Sequence, residues 1–541
     1  MQLKNNYLIF YLVCIFLIII VSFSNPFLRY PYDMIHHLIV IDEFYIKLEY
    51  PIQKLTGIWA HDLYVLIPTG ETEPIVLSQS RYLWHYIWAT FFVWTDIDST
   101  QLFLRAKIIH IIQTLISFSS IYYFSNVVLR NIFNDISTSD LRWFSLWSVL
   151  IWLTIFATFS VAYQQVWIMW YSVTYQISLP LFWYILGLTL VLLLEENSWK
   201  IKLFFLLQIL IISRFILQVH AMEFMYYMMH IAVFSVVFID KVYIILKKYY
   251  YLIIPTLVGI GYFATQYRPA SSPIFKYLSF EKLPELYEKI MQNGIILLNG
   301  YNRALASINE LMYVIEFSGI LFLIYLLYVK YYSKKETSIN IRMLIFVALT
   351  SLFVFIPLYQ FSSGLFALLT YTMVVNRLYY SASLFLVLPI VVYGILSSLK
   401  IRTLYMNIII ITILLAVGIF SKYNNILNHN YYKNLKSIKN SFNENKVGFH
   451  LNSSQIEIIK QQLESYEKSN ISAKEIRYFA RADIAFVLKY LFHKKVYWKG
   501  RSRDIDYLNA HKKYKQYKDN QKYKNILFET PEKFPSYRPY S

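Results

Sequence analysis

The hydrophobic positions of this chain fall into long, nearly unbroken blocks rather than into the short stripes of a water-soluble fold. A helix needs about 20 consecutive apolar residues to cross a hydrocarbon core. Blocks of that kind lie near residues 7–24, 107–128, 142–160, 178–195, 203–220, 222–240, 250–266, 311–330, 343–360, 380–398 and 403–420, which predicts about eleven membrane-spanning helices. The first block follows Lys4 and ends on Ser22-Phe23-Ser24, a loose imitation of a cleavage site. Its apolar stretch exceeds the roughly 7 to 15 residues of a signal-peptide core, which favours a retained helix over a cleaved leader.

The polar connections between blocks set the orientation. With Lys4 on the cytoplasmic side, Arg130, Arg142, Lys200, Lys202, Lys241, Lys247, Lys248, the run from Lys330 to Arg342, Lys400 and Arg402 all fall inside, as the positive-inside rule requires. The opposite connections, 161–177 and the turn around His220, carry no Lys or Arg. Three segments too polar or too long for turns then share the external face: 25–106, 267–310 and 421–541. The implied organisation is a first helix (1–24), an external loop with interfacial helices (25–106), a transmembrane bundle with one external loop (107–420), and a basic C-terminal external region (421–541).

Composition agrees with this layout. The 541 residues are 57% hydrophobic and 15% charged, against about 25% charged in an average soluble chain. The expected fold class is an all-α polytopic membrane protein with a small, mainly helical C-terminal region. One cysteine, Cys14, lies in the first block, which leaves no intrachain disulfide and no Cys-rich zinc site. Of the net charge of +19, residues 421–541 hold 24 Lys and Arg against 11 Asp and Glu, a balance of +13. On an external, membrane-tethered region such charge fits membrane lipids or phosphorylated lipid substrates, not nucleic acid. Two amphipathic helices are expected there. One runs from Ser454 with Ile456, Ile459 and Leu463; the other opens on a Ser472/Glu475 capping box ahead of Ile476, Phe479 and Phe486.

The candidate chemistry begins just after the first block, at Asn25-Pro26-Phe27-Leu28-Arg29-Tyr30-Pro31-Tyr32-Asp33-Met34-Ile35-His36-His37-Leu38, followed by Ile41-Asp42-Glu43-Phe44-Tyr45. The spacing of Ile35, Leu38, Ile39 and Ile46 predicts a helix over 33–46, with Asp33 sharing a face with His36 and His37. A carboxylate beside imidazoles can act as a general base, bind a divalent cation or hold a sugar hydroxyl. The alternative is a surface helix whose polar side meets water.

An acidic residue in a Pro/Tyr-containing first external loop, directly after one N-terminal helix, resembles the GT-C class of polytopic glycosyltransferases. Asn376-Arg377-Leu378-Tyr379-Tyr380, followed by Leu384, Leu388 and Pro389, is similar to the Arg-Tyr-then-apolar-Pro pattern before a late helix in that class. The resemblance implies transfer of a sugar from a polyprenyl-phosphate donor to a glycan, glycolipid or protein acceptor, with inversion, on the external face of a bacterial plasma membrane. It makes Asp33 the catalytic base and puts Arg377 and Tyr379 at the donor phosphate. The Asp-Glu pair of some members occurs here as Asp42-Glu43 instead, so Asp33 and Asp42 are both candidates for the base. No cofactor is assigned beyond the divalent cation that such carboxylates could hold.

Ionisable residues inside the blocks add further candidates, since a charge in lipid costs about 2.5 to 3.5 kcal/mol on insertion scales. Arg214, His220 and Glu223 cluster at one membrane face, either to meet a lipid phosphate or as an internal Arg214–Glu223 pair; Glu316 lies in a later span. His230 reads as a satisfied interior histidine. Arg29 and Arg81 add positive charge to the first external segment. Arg81 and Arg105 bracket Tyr82-Leu83-Trp84-His85-Tyr86-Ile87-Trp88, an interfacial helix that supports a donor pocket or seals the loop against the bilayer. Phosphate-binding GxxxxGKS, GxGxxG and HExxH motifs are absent. A transporter or flippase of a lipid-linked or anionic substrate is the competing function, although no internal repeat is visible and Gly is scarce at 13 residues.

Overall fold

The computed structural model describes residues 83–97, 102–152, 175–244, 280–305, 309–332, 339–353, 359–369, 381–401, 405–412, 453–469, 476–481 and 524–529, the short stretches 64–66, 72–74, 247–248, 496–497, 511–512 and 514–516, and the single positions 15, 37, 38, 41, 45, 356, 484, 485, 487, 488, 492, 494 and 518. These residues are mostly helical. The chain divides into two compact units, one made of Met1–Leu115, Trp167–Gln176 and Leu435–Ser541, the other of Ile116–Val166 and Ile177–Asn434. Among the described residues, three helices are long and apolar enough to cross a membrane: Leu104–Ile132, Ile177–Leu194 and Trp199–Val219. Shorter apolar helices cover Met222–Val237, Ser318–Tyr331, Ile341–Ser351 and Ser383–Ser397. Of the expected span 7–24 only position 15 is described, and the expected span 250–266 lies outside the described residues.

In the first unit an antiparallel hairpin joins β1 (Tyr64–Leu66) to β2 (Thr72–Pro74), with Val65 opposite Glu73. Helix α1 (Leu83–Trp94) follows, and α2 (Leu102–Ile132) begins soon after it. The described residues of the second unit are mainly helical. They include α3 (Thr138–Ile151), α4 (Tyr175–Leu194), α5 (Trp199–Val219), α6 (Ala221–Val237), α7 (Leu283–Leu305), α8 (Asn309–Tyr332), α9 (Ile341–Ser351), α10 (Gln360–Leu369) and α11 (Val387–Ser398). Ser137 caps α3 by accepting from the Asp140 amide at 3.1 Å, and Asn340 caps α9 by accepting from the Met343 amide at 3.3 Å, each satisfying an orphan donor of the first turn.

The interior of this unit is aromatic. Phe124, Phe182, Trp183 and Phe385 interlock, with the Trp183 ring 4.7 Å from Phe124 and 5.1 Å from Phe385. His230 sits among Phe182, Trp183 and Phe353, fully buried, and its Nδ1 donates to the Tyr226 carbonyl at 2.8 Å. It is the interior histidine that its setting predicts, bonded through one ring nitrogen. Polar ties cross between helices: Tyr184 donates to Gln208 at 2.8 Å, Thr189 and Tyr227 share a bond at 2.8 Å, and Trp147 donates to Asn407 at 2.8 Å. Small residues set the closest approach. A Cβ at Gly294 would collide with the Gln360 carbonyl and one at Gly364 with the Ile290 carbonyl, so α7 and α10 meet backbone to backbone. Gln360 strengthens that crossing by donating to the Met291 carbonyl at 3.0 Å.

The C-terminal part departs from expectation. The first expected helix is present as α12 (Ser453–Lys468), but Ile476–Phe479, read as part of a second helix, form strand β3. It pairs in parallel with β4 (Val496–Tyr497) and β5 (Lys524–Leu527), giving the order β4-β3-β5. Tyr478 and Phe479 are both buried although they point to opposite faces, as in a parallel strand covered on both sides. Tyr478 donates toward Glu467 of α12 at 3.4 Å, and Phe479 lies against Tyr514. The described residues of this region therefore combine helix with a small parallel sheet.

Candidate functional site

Helix α1 carries Trp84, His85, Trp88, Ala89 and Phe92 on one stripe, and all five are buried. The stripe follows the helical repeat, so packing can cover it with a second helix. Part of that cover is the segment after the first apolar block. Its described positions His37, Leu38, Ile41 and Tyr45 are helical, and Leu38 and Ile41 are fully buried. The spacing had predicted a helix over 33–46.

Two contacts join this segment to its neighbours. His37 Nδ1 and His85 Nε2 lie 2.7 Å apart, one ring donating N–H and the other accepting. The imidazoles are stacked with centroids 4.9 Å apart, and Trp84 meets both edge-on. His37 is 8% exposed and His85 2%, so the bond is sealed from water and couples the tautomers of the two rings. The Trp84 indole N–H, also buried, has no acceptor among the described residues. Burial also holds the Tyr86 phenol above its ordinary range, so it stays protonated. The second contact is Arg105 of α2. Its guanidinium lies 4.1 Å from the centre of the Tyr45 ring and 5.0 Å from that of Phe92, and donates to the Ile97 carbonyl through Nε at 2.9 Å and Nη2 at 2.6 Å. A buried guanidinium over two rings gains cation–π attraction in place of lost hydration.

The intramembrane cluster expected at the α5–α6 junction is only partly assembled. His220 is extended between the helices, and its Nδ1 lies 2.5 Å from Glu223 Oε2. Glu223 is buried. Arg214 is exposed on α5 and takes no part, so the Arg214–Glu223 pairing is replaced by His220–Glu223. Arg29, Asp33, His36, Asp42, Glu43, Arg81, Arg377 and Tyr379 lie outside the described residues. Among the described residues no three His, Cys, Asp or Glu side chains converge on a metal position.

Sequence reasoning missed His85 and Trp84 as site residues. Their signal was present: a histidine next to a tryptophan, repeated at helical spacing by Trp88 and Phe92. The partner of His85 is 48 positions away in sequence, and no local pattern points to it. No family model matches the chain, and neither a curated protein nor a solved structure matches it.

Proposed function

We propose that the chain is a multi-pass membrane glycosyltransferase of GT-C type, with about eleven spans. In this reading it moves a sugar from a polyprenyl-phosphate donor to a glycan, glycolipid or protein acceptor on the external face of a bacterial plasma membrane. The observation that carries the reading is the buried His37–His85 bond. The bond anchors His37 to α1, and Asp33, the candidate base, precedes His37 by four positions in the sequence. Asp33 takes the proton of the acceptor hydroxyl as its oxygen attacks the anomeric carbon. The C–O bond to phosphate breaks, its electron pair leaves with the lipid phosphate, and the configuration inverts. Arg377 stabilises the leaving phosphate charge.

The test supplies permeabilised membranes with a labelled polyprenyl-phosphate sugar. Asp33→Asn is expected to lower transfer by about 10²- to 10⁴-fold, the usual contribution of a general base, at unchanged protein level. Unchanged transfer removes Asp33 from the role and leaves Asp42. Substrate movement across sealed vesicles with no covalent product supports a transporter instead.

A further inference from the structure

One end of the helical unit is tied together by polar contacts. Arg130, near the end of α2, pairs with Glu195, the residue after α4. Phe133 forms an isolated bridge with Ile339, and the Asn340 amide donates to the Ile132 carbonyl at 2.8 Å, so the end of α2 is joined to the start of α9. Arg342 of α9 then donates to Asp240, just beyond α6, at 2.7 Å. The C-terminal ends of α2, α4 and α6 and the N-terminal end of α9 therefore share one end of the unit. Helix α5 also begins there, since Trp199 comes four residues after Glu195, and it runs to the His220 turn at the opposite end.

These contacts occupy carboxylates with arginines and leave lysines over. Glu195 and Asp240 are each held by an arginine. Lys200 and Lys202 at the start of α5, and Lys241 and Lys247 beyond α6, make no ion pair among the described residues, and the exposed Glu196 sets one charge against their four. The same stretches expose large apolar side chains: Trp199, Leu203 and Phe204 on α5, and Ile239, Tyr243 and Ile244 beyond α6. A water-soluble anion would answer the lysines and leave that apolar surface in water. An anionic phospholipid answers both, because its chains cover the apolar side chains while its phosphate meets ammonium groups carried on long flexible stems. We infer that this end of the unit binds the headgroups of anionic phospholipids through Lys200, Lys202, Lys241 and Lys247, with the lipid chains along the exposed side chains beside them. A zwitterionic headgroup brings its own positive charge and gains less. The inference rests on the membrane-spanning part of the reading above and not on sugar transfer. Binding without turnover tests it, so its failure leaves the transfer reading standing, and the reverse.

Full-length protein in a neutral detergent is titrated with dioleoylphosphatidylglycerol and, in parallel, with dioleoylphosphatidylcholine, and bound lipid is counted by native mass spectrometry. Saturable binding of the anionic lipid is expected, about tenfold or more tighter than that of the zwitterionic one. It should weaken about fivefold for each of the four lysines changed to Gln, and again with added salt. Residues 421–541 are basic as well, so a second variant removes the same charge there. Lys460→Gln, Lys468→Gln, Lys512→Gln and Lys515→Gln together should keep the lipid preference that Lys200→Gln, Lys202→Gln, Lys241→Gln and Lys247→Gln together abolish. If the latter variant does not fold, the pair Lys200→Gln and Lys241→Gln should still weaken binding about tenfold or more. Glycerol 3-phosphate, which carries the phosphate without the chains, should compete only weakly. Equal binding of the two lipids by the wild type overturns the proposal, as do unchanged affinity in the folded lysine variant and equal loss in both four-site variants. Competition by glycerol 3-phosphate as strong as that of the lipid overturns it too, because the occupant would then be a soluble anion.

Discussion

Helices α4 and α5 follow one another in sequence, share an apolar composition and are both long enough to span a membrane, yet 67% of one lies buried within the protein and 11% of the other. Along α4, Phe182, Trp183, Ile185 and Leu186 are sealed among other helices. Along α5, Phe204, Leu207, Leu210 and Ile211 stand exposed. Apolar area in water costs about 25 cal/mol per Å², whereas the same area in a lipid tail region costs nothing comparable. The contrast separates two properties that hydropathy merges: crossing a bilayer, which both helices can do, and facing protein, which one does. The polar contacts follow the division, since Tyr184 and Thr189 of α4 each find a partner on a neighbouring helix.

The sharpest way to break this comparison is to truncate one large side chain on each helix. Trp183→Ala removes the ring that touches Phe124, Phe182, His230 and Phe385, and should cost about 3 to 5 kcal/mol. Leu210→Ala on α5 removes an exposed side chain and should cost a small fraction of that in a detergent micelle. Thermal unfolding in a mild detergent reads both, and equal losses would mean that α5 is covered by protein in its working form. Overpacking sharpens the same point. A Cβ at Gly187 of α4 would lie 3.0 Å from the Tyr123 ring, already tight. Gly187→Leu should therefore cost about 1 to 3 kcal/mol, while Ile211→Phe on α5 is tolerated.

How much of this was legible depends on the range of the interaction. The apolar blocks announced α2, α4 and α5, although α2 starts at Leu102, several residues before its block seemed to begin. The spacing around Leu38 announced the helix that buries Ile41 and presents His37. Residues 476–479 misled because Ile476 and Phe479 suit a helical stripe and the capping box stands just before them. What makes them a strand is pairing with Val496–Tyr497 and Lys524–Leu527, partners about 20 and 48 positions away that no local pattern reveals. The His37–His85 bond and the stacking of Arg105 on Tyr45 were hidden for the same reason. Arg214 shows the converse: its charge was legible, but only packing shows that it belongs to the exposed side of α5.

That position gives a smaller effect. Arg214 lies five residues before the last residue of α5, so its long side chain can reach the interface. Arg214→Leu should favour membrane insertion of the isolated α5 segment by at most about 2.5 to 3.5 kcal/mol, the cost at mid-membrane, and by less this near the end. A glycosylation-mapping insertion assay measures it. No gain would indicate that the arginine already meets its counter-charge at the interface.

The smallest effect belongs to a contact open to water. Arg342, at the start of α9, donates to Asp240, just beyond the end of α6, at 2.7 Å, with both side chains about half exposed. The guanidinium hydrogen bond holds the Asp240 carboxyl below its ordinary range. A carboxyl shifted downward adds stability above the pKa of its unfolded form, about 3.9, and loses it as pH falls through the lower folded value. Asp240→Asn should therefore leave the melting temperature near its wild-type value at neutral pH in high salt, and flatten only the acid limb below about pH 4. A marked loss at neutral pH would show that this pair is shielded from water in the working protein.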